Sequence, residues 1–155
     1  MSVPVTHLLS SAPEPGTASR TPDGEVSLRT RRVLLVEDEV TLRRVIARNL
    51  TSRGVSVCEA GTAGEAVQAA TNYEPDLLLL DINLPDQTGW DVLRELKRRG
   101  TDVPTIIVSA VRVSQSRLDE FHPLAYLPKP FPIDALLRLV FDRRRPDAPP
   151  DTEET

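Results

Sequence analysis

The feature that most limits what this chain can become is an unbroken run of four leucines, Leu77 to Leu80, ended by a single carboxylate, Asp81. A loop carrying Pro85 and Gly89 follows at once. A run of that length and hydrophobicity suits a strand buried on both faces, as in a parallel sheet. A short buried helix shows the same run, but Pro75 before it and the Pro85 to Gly89 loop after it bound it tightly. Read as a strand, it puts Asp81 at its carboxyl end, the edge where open α/β sheets bind ligands.

The rest of the folded body alternates in the same way. Val33-Leu34-Leu35-Val36 reads as a first strand, and Leu42, Val45, Ile46 and Leu50 share one face of the helix that follows, with Gly54 as its stop. Val55 to Cys58 reads as a second strand. Thr62-Ala63-Gly64-Glu65 has the capping-box pattern and opens an Ala-rich helix ending near Tyr73. After the leucine strand, Trp90, Val92, Leu93 and Leu96 mark a helix closed by Gly100. Val103 to Val108 is a fourth strand, Gln115 to Phe121 a short helix stopped by Pro123, and Ala125-Tyr126-Leu127 a fifth strand. Ile133, Leu136, Leu137, Val140 and Phe141 give the strongest helical stripe. Five strands alternating with helices imply an α/β fold, a doubly wound parallel sheet with helices on both faces and right-handed crossovers.

Composition sets the outer limits. At 155 residues the chain suffices for one ordinary domain, and 39% hydrophobic with 27% charged residues is globular. A formal net charge of −4 gives no overall attraction to nucleic acid or to an anionic membrane. The single cysteine, Cys58, excludes an internal disulfide and fits a reducing compartment; beside Val57 it reads as core rather than as a reactive thiol. No run approaches the ~18 apolar residues of a membrane span, and Pro4 and Pro13 interrupt any secretory pattern at the start. The expected location is therefore cytoplasmic. Residues 1–30, rich in Ser, Thr, Pro and Gly, are expected to be disordered, as is the polar tail 146–155, leaving a folded domain over residues 31–145.

Polar chemistry gathers at the strand ends: Glu37 and Asp38 after the first, Asp81 after the third, Ser109 after the fourth, Lys129 after the fifth. Alternation places all of these at one edge of the sheet. Two unit charges ~4 Å apart repel by about 4 kcal/mol at an effective dielectric of about 20. Three acids there call for a compensating hard cation, and Mg²⁺ takes one or two carboxylates plus water and phosphoryl oxygens. Lys129 adds a positive charge. It is one of two lysines among nineteen basic residues, so a lysine at this place reads as a specific choice rather than as solvated surface.

Glu37-Asp38-Glu39 after an apolar strand, Asp81 followed by Leu84-Pro85 and Gly89, Ile107-Val108-Ser109-Ala110, and Tyr126-Leu127-Pro128-Lys129-Pro130-Phe131 together resemble the receiver domain of two-component response regulators, from Val33 to about Arg143. The resemblance implies the flavodoxin-like strand order 2-1-3-4-5. It implies that Asp81 is a phosphoacceptor that attacks a phosphohistidine on a sensor histidine kinase or a histidine phosphotransfer protein. Asp38 would bind Mg²⁺ directly, Glu37 through water, and the backbone carbonyl of Asn83 would be a further ligand beside Asp81. Lys129 would pair with one phosphoryl oxygen and the Ser109 hydroxyl with another, while Tyr126 would turn from exposed to buried as the signal spreads. The Lys129–Pro130 bond would be cis. Such a protein is no enzyme in the usual sense, since it catalyses only its own phosphorylation and dephosphorylation.

The sequence also departs from the family pattern. Glu37 stands where Asp is usual, and Ser109 where threonine is common. Phe121-His122-Pro123-Leu124 replaces a Gly-Ala pair, and the short spacing from Ser109 to Lys129 predicts an abbreviated or displaced fourth helix. His122, next to Pro123 and with no second ligand nearby, reads as a turn residue; Trp90 as packing; Asp86 as a solvated loop acid; Arg143-Arg144-Arg145 as a cationic helix end suited to the helix dipole. About ten residues remain after Arg145, so the expected protein stands alone without a DNA-binding domain, touches no membrane, and signals by contact with an unidentified protein target. Two other functions compete. A haloacid-dehalogenase-type phosphatase also uses a strand-end Asp with Mg²⁺, but its second Asp two positions on is Asn83 here. A binding module that has lost phosphorylation is disfavoured by the intact acids and Lys129.

Overall fold

The computed structural model describes residues 31–141. The expected disorder of residues 1–30 and 146–155 and the Arg143 to Arg145 cluster lie outside the described residues. The elements alternate from the start: β1 (Arg32–Val36), α1 (Val40–Thr51), β2 (Ser56–Ala60), α2 (Ala63–Tyr73), β3 (Leu77–Asp81), α3 (Gly89–Arg98), β4 (Thr105–Ser109), α4 (Gln115–Phe121), β5 (Ala125–Pro128) and α5 (Ile133–Phe141). All strand pairs are parallel, in the order β2-β1-β3-β4-β5. This is the doubly wound sheet, in the 2-1-3-4-5 order, that the alternation and the resemblance imply.

The leucine run is the centre because a strand has period two. Leu77 and Leu79 face one layer with Val33, Leu35, Ile106 and Val108, packed under α1 and α5 through Ile46, Leu50, Leu136 and Val140. Leu78 and Leu80 face the other with Leu34, Val36 and Ile107, packed under α2 and α3 through Ala66, Ala70, Val92 and Leu96. Each buried leucine side chain contributes about 1.5–3 kcal/mol. The small side chains of α2 let its backbone lie close to the sheet.

Several local expectations shift. In α1 the buried residues are Ile46, Ala47 and Leu50, and Val45 is 45% exposed. At 100° per residue Leu42, Ile46 and Leu50 share one stripe, while Val45 falls well outside it. β2 begins at Ser56 and runs on to Ala60, and β4 begins at Thr105, because Pro104 before it has no N–H for the ladder. Cys58 is only half-buried, since β2 is an edge strand; burial, then the neighbouring Glu59, pushes its thiol pKa up, which makes it a poor nucleophile. Phe141 at the end of α5 is exposed.

Helix ends carry further detail. Thr62 accepts from the Glu65 amide as a cap, but the Glu65 carboxylate turns to the Gly61 amide instead of closing the box. The full capping box is at α3, between Thr88 and Asp91, a Thr-x-x-Asp pattern. Gly54 and Gly100 have φ of +84° and +71° and end α1 and α3 as the sequence implies. α4 is short and buries none of its own residues. His122 is its left-handed cap, a turn residue as expected.

Candidate functional site

Each polar strand end reaches the same edge. Glu37 and Asp38 follow β1, Asp81 ends β3 opposite Val108 of β4, and Ser109 ends β4 opposite Pro128 of β5. The Lys129 amide donates to the Ser109 carbonyl at 2.9 Å, which carries the lysine back over the sheet. The Lys129–Pro130 peptide is cis. Lys129 Nζ donates to Glu37 Oε1 and Oε2 at 3.0 and 2.8 Å and to Asp81 Oδ2 at 2.9 Å. Asp81 Oδ1 accepts from the Asn83 amide at 3.0 Å, and Glu37 Oε1 from the Glu39 amide at 3.3 Å. Carboxylate oxygens of Glu37, Asp38 and Asp81 all lie within 4.8 Å of one another. Glu37 and Asp81 are buried, whereas Asp38 opens to solvent.

Two buried acids thus share one ammonium, with a third, Asp38, close by and open to solvent. Burial pushes the Glu37 pKa up; the hydrogen bond from Lys129 pulls it back, and the charge of Asp81 adds to the rise, leaving it at about 7. For Lys129 burial works to lower the pKa, but the hydrogen bonds to Asp81 and Glu37 outweigh it and the ammonium is held charged. The donor set is all hard oxygen, one acid is open to water, and the negative charge exceeds the cation present. That combination fits Mg²⁺, which takes few protein carboxylates and keeps its other positions for water or phosphoryl oxygens.

Around this centre, Ser109 is fully buried and its hydroxyl accepts from the Val111 amide at 3.0 Å. Tyr126 is half-buried, and its hydroxyl donates to the Val111 carbonyl at 3.2 Å. Both side chains therefore hold the loop after β4. The Asn83 backbone amide is the group of that residue that meets Asp81. Gly89 leaves no room for a side chain: a Cβ would lie 2.6 Å from the Asp81 carbonyl oxygen and 3.0 Å from Ile82 Cα. Trp90 is buried and stacks on Phe121 at 5.2 Å, a packing role as expected.

Two residues escaped the sequence reading. Asp86, a solvated loop acid by its sequence, is exposed, yet it accepts from the Ala63 and Gly64 amides at 2.8 and 3.0 Å and caps α2 from another loop. Those two amide bonds pull its pKa down. No local pattern could signal a cap that comes from twenty-two residues away. Arg43 donates to the Glu37 carbonyl at 2.8 Å. A groove of about 640 Å³ between Leu96, Val103, Phe121 and Leu124 lies beside the amino end of β4, away from these acids.

A family model described as the response regulator receiver domain matches residues 33–141. The chain is 34% identical over 126 residues to the response regulator MprA of Mycobacterium sp. (strain KMS), covering 78% of this chain and 55% of that protein. It is 38% identical over 125 residues to the transcriptional regulatory protein KdpE of Mycobacterium tuberculosis (strain H37Rv), covering 79% and 55%. The CheY-like receiver domain protein of Methanospirillum hungatei superposes with a TM-score of 0.66 at 28% identity, covering 74% of this chain and 93% of that one. The response regulator TrrA of Thermotoga maritima, solved in complex with Mg²⁺ and BeF, superposes with a TM-score of 0.63 at 28% identity, covering 71% and 96%.

The expected partners need correction. The sequence implies a histidine kinase or phosphotransfer donor, an unidentified protein target and no DNA-binding domain. The matched relatives include KdpE, named a transcriptional regulatory protein, and NtrC of Klebsiella pneumoniae, named a DNA-binding transcriptional regulator, of which the match covers 23%. The chain spans about half the length of the first curated relatives it matches. A receiver folds on its own core and can be joined to other domains, so its own residues do not exclude an association with DNA. Among the described residues no helix is long and apolar enough to cross a membrane. The matched family model, the strand order and the ring of acids around one lysine agree, and the chain belongs to the response regulator receiver domain family of two-component systems.

Proposed function

We propose that Asp81 accepts a phosphoryl group from a phosphohistidine and that the domain works as a phosphorylation-dependent switch. The observation that carries this is the Lys129 ammonium bridging Asp81 and Glu37 within 3.0 Å, beside the open carboxylate of Asp38. An Asp81 oxygen forms the new P–O bond, the P–N bond of the donor breaks, and the imidazole nitrogen leaves with the bonding pair. Such transfer needs placement and charge neutralisation more than covalent assistance. Glu37, Asp38, Asp81 and the Asn83 carbonyl would hold Mg²⁺, which supplies positive charge to the phosphoryl oxygens. The chemistry of the domain is directed at its own Asp81, and the single cysteine of the sequence suits a cytoplasmic setting.

The switch follows from the bonds that must be exchanged. The acyl phosphate brings about −1.5 to −2 charge, by analogy with other phosphorylated side chains. Lys129 turns from Glu37 toward a phosphoryl oxygen. Ser109 gives up the Val111 amide to donate to another, and the loop after β4 moves with it. Tyr126, bonded to the carbonyl of the same Val111, moves inward in consequence. Two arrangements of one loop, biased by one new anion, make a two-state element.

Incubation with acetyl phosphate and Mg²⁺, read by intact mass, should add one phosphoryl group to the wild type and none to Asp81→Asn. Equal labelling of the two, or labelling that persists without a divalent cation, overturns the assignment.

A further inference from the structure

The loop that presents Glu37 and Asp38 has no conventional helix cap to hold it. Glu39, at the N-cap of α1, makes no side-chain capping bond. Arg43, in the first turn of α1, ties the loop to the helix through its side chain instead. Its Nη1 donates to the Glu37 carbonyl at 2.8 Å, while its backbone amide makes the ordinary first helical bond, to the Glu39 carbonyl at 2.9 Å. Asp38 is the one residue between those two carbonyls. The Glu37 carbonyl lies one residue past the last β1–β2 pair, Val36 with Ala60, so the arginine supplies a donor beyond the end of that ladder.

The guanidinium is itself confined. Nε lies 3.3 Å from Glu59 Oε1 on β2, close enough for charge attraction, yet it is buried without an aligned hydrogen-bond acceptor. On its other side stands Gly61, where a Cβ would come 2.9 Å from Nη1. The glycine leaves the space that the guanidinium fills.

We propose that Arg43 is a positioning residue for the metal: by holding the Glu37 carbonyl and the first turn of α1 together, it fixes the Glu37–Glu39 loop in the form that presents Asp38 and Glu37 to Mg²⁺. This rests on the function proposed above, but concerns a residue that touches neither the metal nor the phosphoryl group. Side chains that orient metal ligands are commonly worth 10- to 100-fold in affinity.

The test measures Mg²⁺ binding by calorimetry, on wild type, Arg43→Met and Gly61→Ala, with phosphorylation by acetyl phosphate as a second readout. Arg43→Met should weaken Mg²⁺ binding about tenfold while leaving the phosphorylation rate at saturating Mg²⁺ within about twofold of the wild type. Arg43→Lys, which keeps the charge without the fork, should rescue only part of the affinity. Gly61→Ala keeps Arg43 but displaces its guanidinium, the far end of a long side chain that can give way; it should fold as the wild type does and still lose affinity by about threefold. Gly61→Ala therefore decides the matter should Arg43→Met fail to fold. Unchanged Mg²⁺ affinity in folded Arg43→Met, or in Gly61→Ala, overturns the proposal and leaves Arg43 as a structural tie. A wild type that binds no Mg²⁺ overturns the proposed function as well, which separates the two failures.

Discussion

Lys129 is where the site's chemistry is concentrated. Its ammonium is the counterion within bonding distance of the two buried acids, Glu37 and Asp81. Removing one partner of a buried ionic cluster leaves charge uncompensated and costs about 3 kcal/mol or more. Lys129→Met should therefore lower unfolding stability in urea by about 3 kcal/mol at pH 8. The loss should shrink at pH 6, where Glu37 can take a proton. An equal loss at both pH values would mean that packing of the lysine stem, not charge, is at stake. The wild-type acid has its own pH signature. An unperturbed glutamate, as in the unfolded chain, titrates at 4.5, whereas Glu37 stands at about 7 in the fold. Between those values the folded state holds the extra proton, so this group favours folding below about 4.5 and that contribution is lost as pH rises through about 7. Metal binding runs the opposite way, because a proton on Glu37 competes with the cation. Mg²⁺ affinity should rise about fivefold from pH 6 to pH 7, and about twofold more before it levels off above pH 8, a titration that calorimetry can follow. Much of this was legible from residue types alone: strand-end acids and one rare lysine in an arginine-rich chain. The value near 7 was not, since it depends on depth of burial and on which oxygen meets Nζ.

α4 shows how an element can be placed without a buried face of its own. Its seven residues are amphipathic too briefly to dock by a stripe, and the short spacing in sequence predicted that. What attaches it is the Trp90–Phe121 stack to α3, with Arg117 over the Trp90 ring and Arg94 over the Phe121 ring. Glu120 is paired with both arginines, at 3.7 Å from Arg94 and 3.2 Å from Arg117. An aromatic pair adds about 0.5–1.5 kcal/mol beyond its buried area. Phe121→Ala should release α4 locally: amides from Gln115 to Phe121 lose hydrogen-exchange protection, and the fluorescence of Trp90, the chain's one tryptophan, shifts to the red. β3 amides should keep their protection. Loss of protection across both elements would show that α4 is part of the global core. The role of Trp90 as packing could be read from its place in the α3 stripe. Its partner could not, because Phe121 lies in the segment where the chain leaves the usual pattern.

At the scale of the whole molecule, metal binding and folding are linked, because the acids meet only when β1 and β3 lie side by side. A cation that binds the folded state alone, at a hundred times its Kd, adds about 2.7 kcal/mol. Mg²⁺ should raise the thermal midpoint of the wild type by several degrees, and Asp38→Asn should abolish most of that rise without lowering the metal-free midpoint, since Asp38 is exposed and its charge only adds to the crowding of acids. A Mg²⁺ effect that survives Asp38→Asn would place the cation elsewhere. The sequence by itself determined the alternation of strands and helices, the burial of Leu77 to Leu80, the helix stops at Gly54 and Gly100, and the set of side chains delivered to one edge. These follow from periods of two and 3.6 and from single-residue backbone preferences, all of which act within a turn or a pleat. Only the tertiary structure decided that Lys129 would span Glu37 and Asp81, residues 92 and 48 positions away, that Asp86 would cap α2, and that Arg43 would hold the Glu37 carbonyl. Those contacts depend on strand order, register and the direction each loop takes on leaving the sheet, which are properties of the packed layers and not of any local stretch.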